Sequence, residues 1–189
     1  GENDFLMLMV GSDFHRKGVA RAIKALASLP KELQARTYLW VAGKGEATPF
    51  IDLAHKMGVG EQFVMLGTRD DVSELMWSAD VFLHPAYSEN TGTVLLESMV
   101  AGLPVIASDV CGYAHYINTW RMGKVLASDD IDAQLAAAIT EIAAQDSDEW
   151  RTRARRFIEQ ADIFDMHENI VTIIESMGSK SLERTSHSD

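Results

Sequence analysis

Two carboxylates, Glu89 and Glu97, stand eight residues apart, with Asn90, Thr91, Gly92, Thr93 and Val94 following the first of them. Ahead of the pair, Ala79 to His84 reads as a short buried strand. Behind Glu89, Gly92 to Ala101 reads as a helix that is apolar at Val94, Leu95, Leu96, Met99 and Val100, stopped by Gly102 and kept from resuming by Pro104. The loop therefore ends where a helix begins, and the unpaired N–H groups of Gly92, Thr93 and Val94 would attract an anion. A helix start favours phosphate and carboxylates favour hydroxyls, so the combination points to a ligand with both, such as a nucleotide-sugar. A helix start alone is weak evidence, because almost every helix has one. Glu97 reads equally well as an exposed acid on a helix of an acidic protein. Glu89, just ahead of a glycine-opened helix, meets both a favourable dipole and a loop end, and is the stronger candidate.

Arg16 and Lys17 lie in a glycine-bounded loop, 11–18, after the first apolar run. There they could neutralise phosphate, the arginine as a fork and the lysine as a point charge. The pattern alone fits a solvated cation pair at least as well. Arg69, after Gly67-Thr68, could reach a base or a phosphate, or pair with Asp70 or Asp71. His84 ends a buried strand and reads as a hydrogen-bonded core histidine rather than a catalyst; His115 is undecided. The histidine and cysteine spacing supports no metal site. Gly43-Lys-Gly45 begins like a dinucleotide fingerprint, but Thr48-Pro49 breaks it, and neither a phosphate-binding P-loop nor a nucleophile turn is present. Trp40, Trp77, Trp120 and Trp150 are scattered over different elements, as expected of packing residues.

The elements that must position these groups alternate. Apolar runs at Phe5–Val10, Tyr38–Ala42, Phe63–Leu66, 80–84, 105–108 and 123–126 read as strands. Between them, helices are expected over Val19–Leu29 (ended by Pro30), from Thr48 as N-cap to about Met57, from Asp70 or Asp71 through Trp77, and over 92–101. Cys111–Ile117 reads as a loop or short helix. Further helices are expected at Ile131–Ala144, Trp150–Gln160 and Phe164–Met177, before a Ser-rich polar tail, 178–189, expected to be disordered. The predicted fold is α/β, a Rossmann-like parallel sheet with helices on both faces. Its domain would occupy 1–162, with a helix at 163–177 beyond it. Ligands of such sheets lie at the carboxyl ends of the strands, where the loops 11–18 and 85–92 and the loop of Arg69 all emerge.

The chain has 189 residues, a formal net charge of −11 and one cysteine. The charge argues against a nucleic-acid surface. The single cysteine excludes a disulfide framework and fits a cytoplasmic setting, with peripheral contact to the membrane left open. No apolar run is long enough to span a bilayer. The chain opens without Met and enters a core strand almost at once, so it is expected to be a fragment whose upstream domain is missing.

Three separated motifs agree in order with one family. Glu89 through Glu97 followed by Ala101-Gly-Leu-Pro-Val105, the Arg16-Lys17-Gly18 loop, and the Ala79-Asp80 strand entry resemble the retaining glycosyltransferases with two facing Rossmann-like domains, the GT-B type. The likeness covers roughly residues 5–145 and corresponds to the C-terminal, donor-binding domain. Within the family, segments such as Leu83-His-Pro-Ala-Tyr87 and Val110-Cys-Gly-Tyr-Ala-His-Tyr-Ile117 are similar to enzymes that build the lipopolysaccharide core. The resemblance implies a UDP-sugar donor, UDP-glucose, and an inner-core saccharide acceptor, with no metal or other cofactor. Lys17 and Arg16 would hold the diphosphate and stabilise the leaving UDP. Glu89 would bind the donor sugar's hydroxyls and Glu97 the ribose. Asn90 to Val94 would line sugar and phosphates through backbone groups, with Gly11 and Arg69 beside the donor. Anomeric configuration would be retained by attack on the leaving-group side, so no covalent nucleophile is demanded of this domain. The chain departs from the family at Ser12, where many relatives carry Arg, and at Tyr113-Ala-His115, where relatives have Glu. Two alternatives share the fold: a non-catalytic nucleotide-sugar-binding module and a nucleotide-sugar epimerase. Nicotinamide binding is disfavoured by the missing glycine fingerprint.

Overall fold

The computed structural model describes residues 3–161, and the expected helix at 163–177 and the tail at 178–189 lie outside them. Within this range the chain alternates as expected. β1 (Phe5–Val10) leads through a loop to α1 (Val19–Ser28) and α2 (Lys31–Gln34), then β2 (Thr37–Ala42) and α3 (Thr48–Lys56). A 3-10 turn at Gly60–Gln62 precedes β3 (Phe63–Gly67), α4 (Val72–Ser78), β4 (Val81–His84) and α5 (Thr93–Val100). β5 (Val105–Ser108), α6 (Ala114–Trp120), β6 (Gly123–Leu126), α7 (Ile131–Ala143) and α8 (Ser147–Gln160) complete it.

The six strands form one parallel sheet in the order β3-β2-β1-β4-β5-β6. β1 is central, and the continuous apolar run that marks it is buried on both sides, with Met7, Leu8 and Met9 at most 2% exposed. Strand order runs one way from β1 to β3 and the other way from β4 to β6. Right-handed crossovers therefore place the intervening helices on opposite faces. One face carries α1, α3 and α7, whose Ile23, Leu26, Ala54, Leu135 and Ile139 join Met7, Met9, Leu83 and Ile106 in the main core. On the other face α4 packs on β1, α5 on β4 and β5, and α6 on β5 and β6. Phe82 and His84 alternate with Leu83 and point to that second face.

The direction of winding reverses between β1 and β4. In sheets of this type the loops leaving the two strands at the reversal spread apart and leave a crevice at their carboxyl ends. Those loops are 11–18 and 85–92.

Local details differ from expectation. A helical turn, α2, forms directly after Pro30, which supplies a fixed φ at a helix entry rather than only an end. The N-cap of α3 is Ala47, so Thr48 and Pro49 are its first helical residues. Asp71 and Asp130 occupy cap positions of α4 and α7 without side-chain cap bonds, because their carboxylates are engaged by Arg69 and by Gln134. α8 begins at Ser147, ahead of Trp150. Trp150 is buried, but Trp77, expected to pack, is 70% exposed at the end of the short helix α4.

Candidate functional site

The two loops at the reversal are fastened to each other. Gly18 has φ +79°, and a Cβ there would lie 2.1 Å from the Pro85 carbonyl oxygen, so only glycine allows this approach. The Tyr87 N–H donates to the Arg16 carbonyl at 2.9 Å, and Arg16 Nη1 donates to the Ser88 carbonyl at 3.0 Å. Arg21, in the first turn of α1, is only 8% exposed. Its Nη1 donates to the carbonyls of Pro85 (3.2 Å) and Ala86 (3.3 Å), and its Nη2 to that of Ser128 (3.1 Å). Its Nε lies 2.8 Å from Asp132 Oδ1, and its guanidinium sits 3.7 Å from the centre of the Tyr87 ring. Three carbonyls and a ring are thus held by one buried cation, which makes the entry to the loop rigid. A third loop braces its far end: the Gly112 and Tyr113 N–H groups donate to the Asn90 and Thr91 carbonyls at 3.1 and 3.0 Å.

Lys17 and Glu89 meet between these loops as an ion pair, with side chains 13% and 10% exposed. The lysine stem packs over Gly11, where an added Cβ would lie 3.0 Å from Lys17 Cε. Arg16 Nη1 lies 3.4 Å from Glu89 Oε1, and the Asn90 N–H donates to the same oxygen at 3.1 Å. His84 Nε2 is 3.2 Å from Glu89 Oε2. Burial works to raise the Glu89 carboxyl, but Lys17, His84 and the Asn90 N–H outweigh it and bring its pKa to about 2. Burial, then the Lys17 charge, pushes the His84 imidazole down to about 4 against the pull of Glu89. At neutral pH Glu89 is therefore an anion and His84 a neutral imidazole.

Gly92, at φ +74°, opens α5 beside this cluster, and a Cβ added there would lie 3.5 Å from Glu89 Cγ. The N–H groups of Thr93 and Val94 belong to the first turn, where no residue four back can accept them. Gly11, Arg16, Lys17, Glu89, Asn90, Thr91, Gly92, Thr93 and Val94 are therefore gathered at one end of the sheet. Glu97 and Arg69 are not part of the cluster. Glu97 is exposed and lines a cleft of about 360 Å³ between α4 and α5 with Val72, Ser73, Met76, Trp77, Val100 and Ala101. Arg69 forks onto Asp71, its Nε donating at 2.8 Å, at the end of the edge strand β3. Three strand spacings, roughly 14 Å, separate that strand from β4. His115 is exposed, with Nδ1 3.0 Å from the Gly112 carbonyl. Among the described residues no group of three histidine, cysteine or acidic side chains is placed to hold a metal. No helix among them is long and apolar enough to cross a membrane.

Sequence reasoning missed Arg21 and undervalued His84. Arg21 carried a signal, since it is a charge between Val19, Ala22 and Ile23 on a helix otherwise apolar on that side. For His84 the core reading was right, but the bond it makes is to the site carboxylate.

The family model for Glycosyl transferases group 1 matches residues 1–163. This chain belongs to the group 1 glycosyl transferases. It is 44% identical over 177 residues to the lipopolysaccharide glucosyltransferase WaaG of Escherichia coli K12, a match covering 92% of this chain and 47% of that protein. The crystal structure of WaaG, a glycosyltransferase involved in lipopolysaccharide biosynthesis, superimposes with a TM-score of 0.80 at 43% identity, over 92% of this chain and 48% of that one. Anabaena HepE, solved with UDP and glucose, shares the fold at a TM-score of 0.70 and 20% identity, over 92% and 49% of the two chains. This group 1 glycosyl transferase chain spans about half the length of the relatives it matches. Its Rossmann-like sheet, expected from the alternation of elements, is the fold of those structures.

Proposed function

We propose that this chain is the donor-binding half of a retaining two-domain glycosyltransferase that moves a hexose, glucose from UDP-glucose, to a sugar of the lipopolysaccharide core. The observation that carries the reading is the convergence of Lys17, Arg16, Glu89 and the amino end of α5 at the sheet's point of reversal. Kinship with WaaG supports the choice of glucose and of the acceptor.

Glycosyl transfer needs a stabilised diphosphate leaving group and an oriented sugar. Lys17 and Arg16 supply positive charge where charge develops on the departing UDP, and the Thr93 and Val94 N–H groups add neutral donors without a metal. Glu89, ionised at any physiological pH, accepts hydrogen bonds from the sugar's hydroxyls and fixes its reacting face. Glu97, in the cleft beside α4, takes the ribose hydroxyls, and Arg69 stands at the nucleoside end. The acceptor would be held by a facing domain, with the enzyme working in the cytoplasm at the inner face of the membrane.

The test has two parts. UDP at ten times its Kd should raise the melting temperature of this chain by about 3–6 °C without magnesium, from roughly 1.4 kcal/mol of linkage. The full-length enzyme should transfer glucose from UDP-glucose, and Lys17→Ala should abolish transfer. UDP binding without transfer by the full-length protein would make it a binding module. No thermal shift at millimolar UDP would remove the pocket from consideration.

A further inference from the structure

An ionised carboxylate can accept about four hydrogen bonds. Glu89 already takes three, and a second cation stands beside it. Oε2 takes the Lys17 ammonium and faces His84 Nε2 at 3.2 Å, while Oε1 takes the Asn90 N–H at 3.1 Å and faces Arg16 Nη1 at 3.4 Å. In this state most of the carboxylate's acceptor capacity is engaged, and Arg16 crowds what remains. Two of these partners, Lys17 and Arg16, are the cations that a pyrophosphate would recruit. The other two have no reason to leave. The Asn90 N–H is fixed by the backbone. His84 is 1% exposed, and its ring stacks on Phe82 with centroids 6.1 Å apart and planes 19° from parallel. Because the carboxylate can only accept, Nε2 must carry the hydrogen of this neutral imidazole. A neutral donor gains little from an approaching phosphate, so its bond to Glu89 outlasts the departure of the cations.

We infer that His84 is the positioning residue for donor recognition: it holds Glu89 in place while the diphosphate draws Lys17 and Arg16 away and so frees lone pairs for the sugar. The inference rests on the reading that this pocket takes a nucleoside-diphosphate sugar. It has a consequence for order. The Lys17–Glu89 pair holds the carboxylate until a diphosphate draws the cations off, so a free hexose meets an acceptor already engaged, and recognition of the sugar follows recognition of the diphosphate. It also explains why the residue is a histidine on a strand whose other inward positions are apolar. The donor must reach Glu89 from within the sheet's own face, and an arginine or lysine there would compete for the phosphates.

Calorimetric titration of this chain with UDP, UDP-glucose and glucose tests it. The wild type should bind UDP-glucose more tightly than UDP, and glucose only when UDP is present. His84→Phe keeps the ring and its stack on Phe82 but removes the donor. It should leave UDP affinity within about threefold and reduce the UDP-glucose advantage about tenfold, as for loss of a hydrogen bond to a charged group. His84→Gln, which restores an N–H, should recover most of that advantage. If His84→Phe does not fold, His84→Asn takes its place, since the shorter amide falls short of Glu89. Equal weakening of UDP and UDP-glucose would overturn the inference, as would an advantage that survives loss of the donor, no recovery with glutamine, or glucose binding alone. A wild type that binds UDP without preferring UDP-glucose would also overturn it while leaving the diphosphate pocket standing. A wild type that binds neither would remove the pocket itself.

Discussion

Lowering the pH from 7 to 4.5 should destabilise this domain by about 2.5 kcal/mol through His84 alone. A free histidine titrates near 6.5, and burial beside Lys17 brings His84 to about 4. Between those values the unfolded chain binds a proton that the native chain refuses. Stability therefore rises with pH across this window: it is fully present above 6.5 and is lost as pH falls toward 4. The imidazole faces Lys17, Arg16 and Glu89, and of these Glu89 keeps its charge throughout the window, because it titrates near 2. The native contribution of Glu89 is present above its ordinary value of 4.5 and is lost only as pH falls from there toward 2. Asp80, raised by burial, acts in the opposite sense within the carboxylate range. Urea unfolding followed by tryptophan fluorescence at steps from pH 7.5 to 4.5 measures the effect. With a slope of about 2 kcal/mol per molar urea, the midpoint should fall by roughly 1.2 M. The chain has six histidines, so the same series on His84→Gln isolates this one. The variant's midpoint should lose most of its dependence on pH in the window. Equal slopes in wild type and variant would mean that His84 is not buried neutral against Glu89.

Other outcomes follow from the same contacts. Gly18→Ala places a methyl against the Pro85 carbonyl in a left-handed backbone, and should destabilise by about 2–3 kcal/mol in thermal unfolding while weakening UDP binding, since it parts the loops that carry Lys17 and Glu89. Glu89→Ala removes the anion that competes for Lys17, so UDP should bind at least as tightly by calorimetry while sugar transfer by the full-length protein fails. Glu97→Ala should weaken UDP and UDP-glucose alike, consistent with ribose contact in the α4–α5 cleft. Cys111 is buried, and burial pushes its thiol up to about 11, so it should react with a thiol reagent only on unfolding.

Much of this was legible in the chain. Phe5–Val10 read as a strand buried on both faces and is one, and Gly18, Gly92, Gly102 and Pro104 punctuate elements where the structure has its boundaries. The alternation of strands and helices led to a parallel sheet, and from there to one edge where the loops of Lys17 and Glu89 emerge. Their direct contact was not legible, because it spans 72 residues and depends on β4 lying beside β1, a fact of strand order rather than of spacing. Arg69 illustrates the converse: its choice between a ligand and a neighbouring acid was open in sequence, and the structure pairs it with Asp71. Trp77 was expected to pack because tryptophan usually does, yet the short α4 ends before anything covers its ring. Arg21 was passed over because its partners, the carbonyls of Pro85, Ala86 and Ser128, lie 64 to 107 residues away in the chain.

In the proposed site a cationic loop and a helix start grip a diphosphate across the reversal of this sheet. Calorimetric titration of UDP in the presence of a chelator, wild type against Lys17→Ala, measures it most directly. Binding should need no metal, and removing the ammonium should weaken it ten- to a hundredfold, by roughly 1.5–3 kcal/mol for a charge-assisted contact. Equal affinity in the two proteins, or binding that appears only with magnesium, would contradict the account.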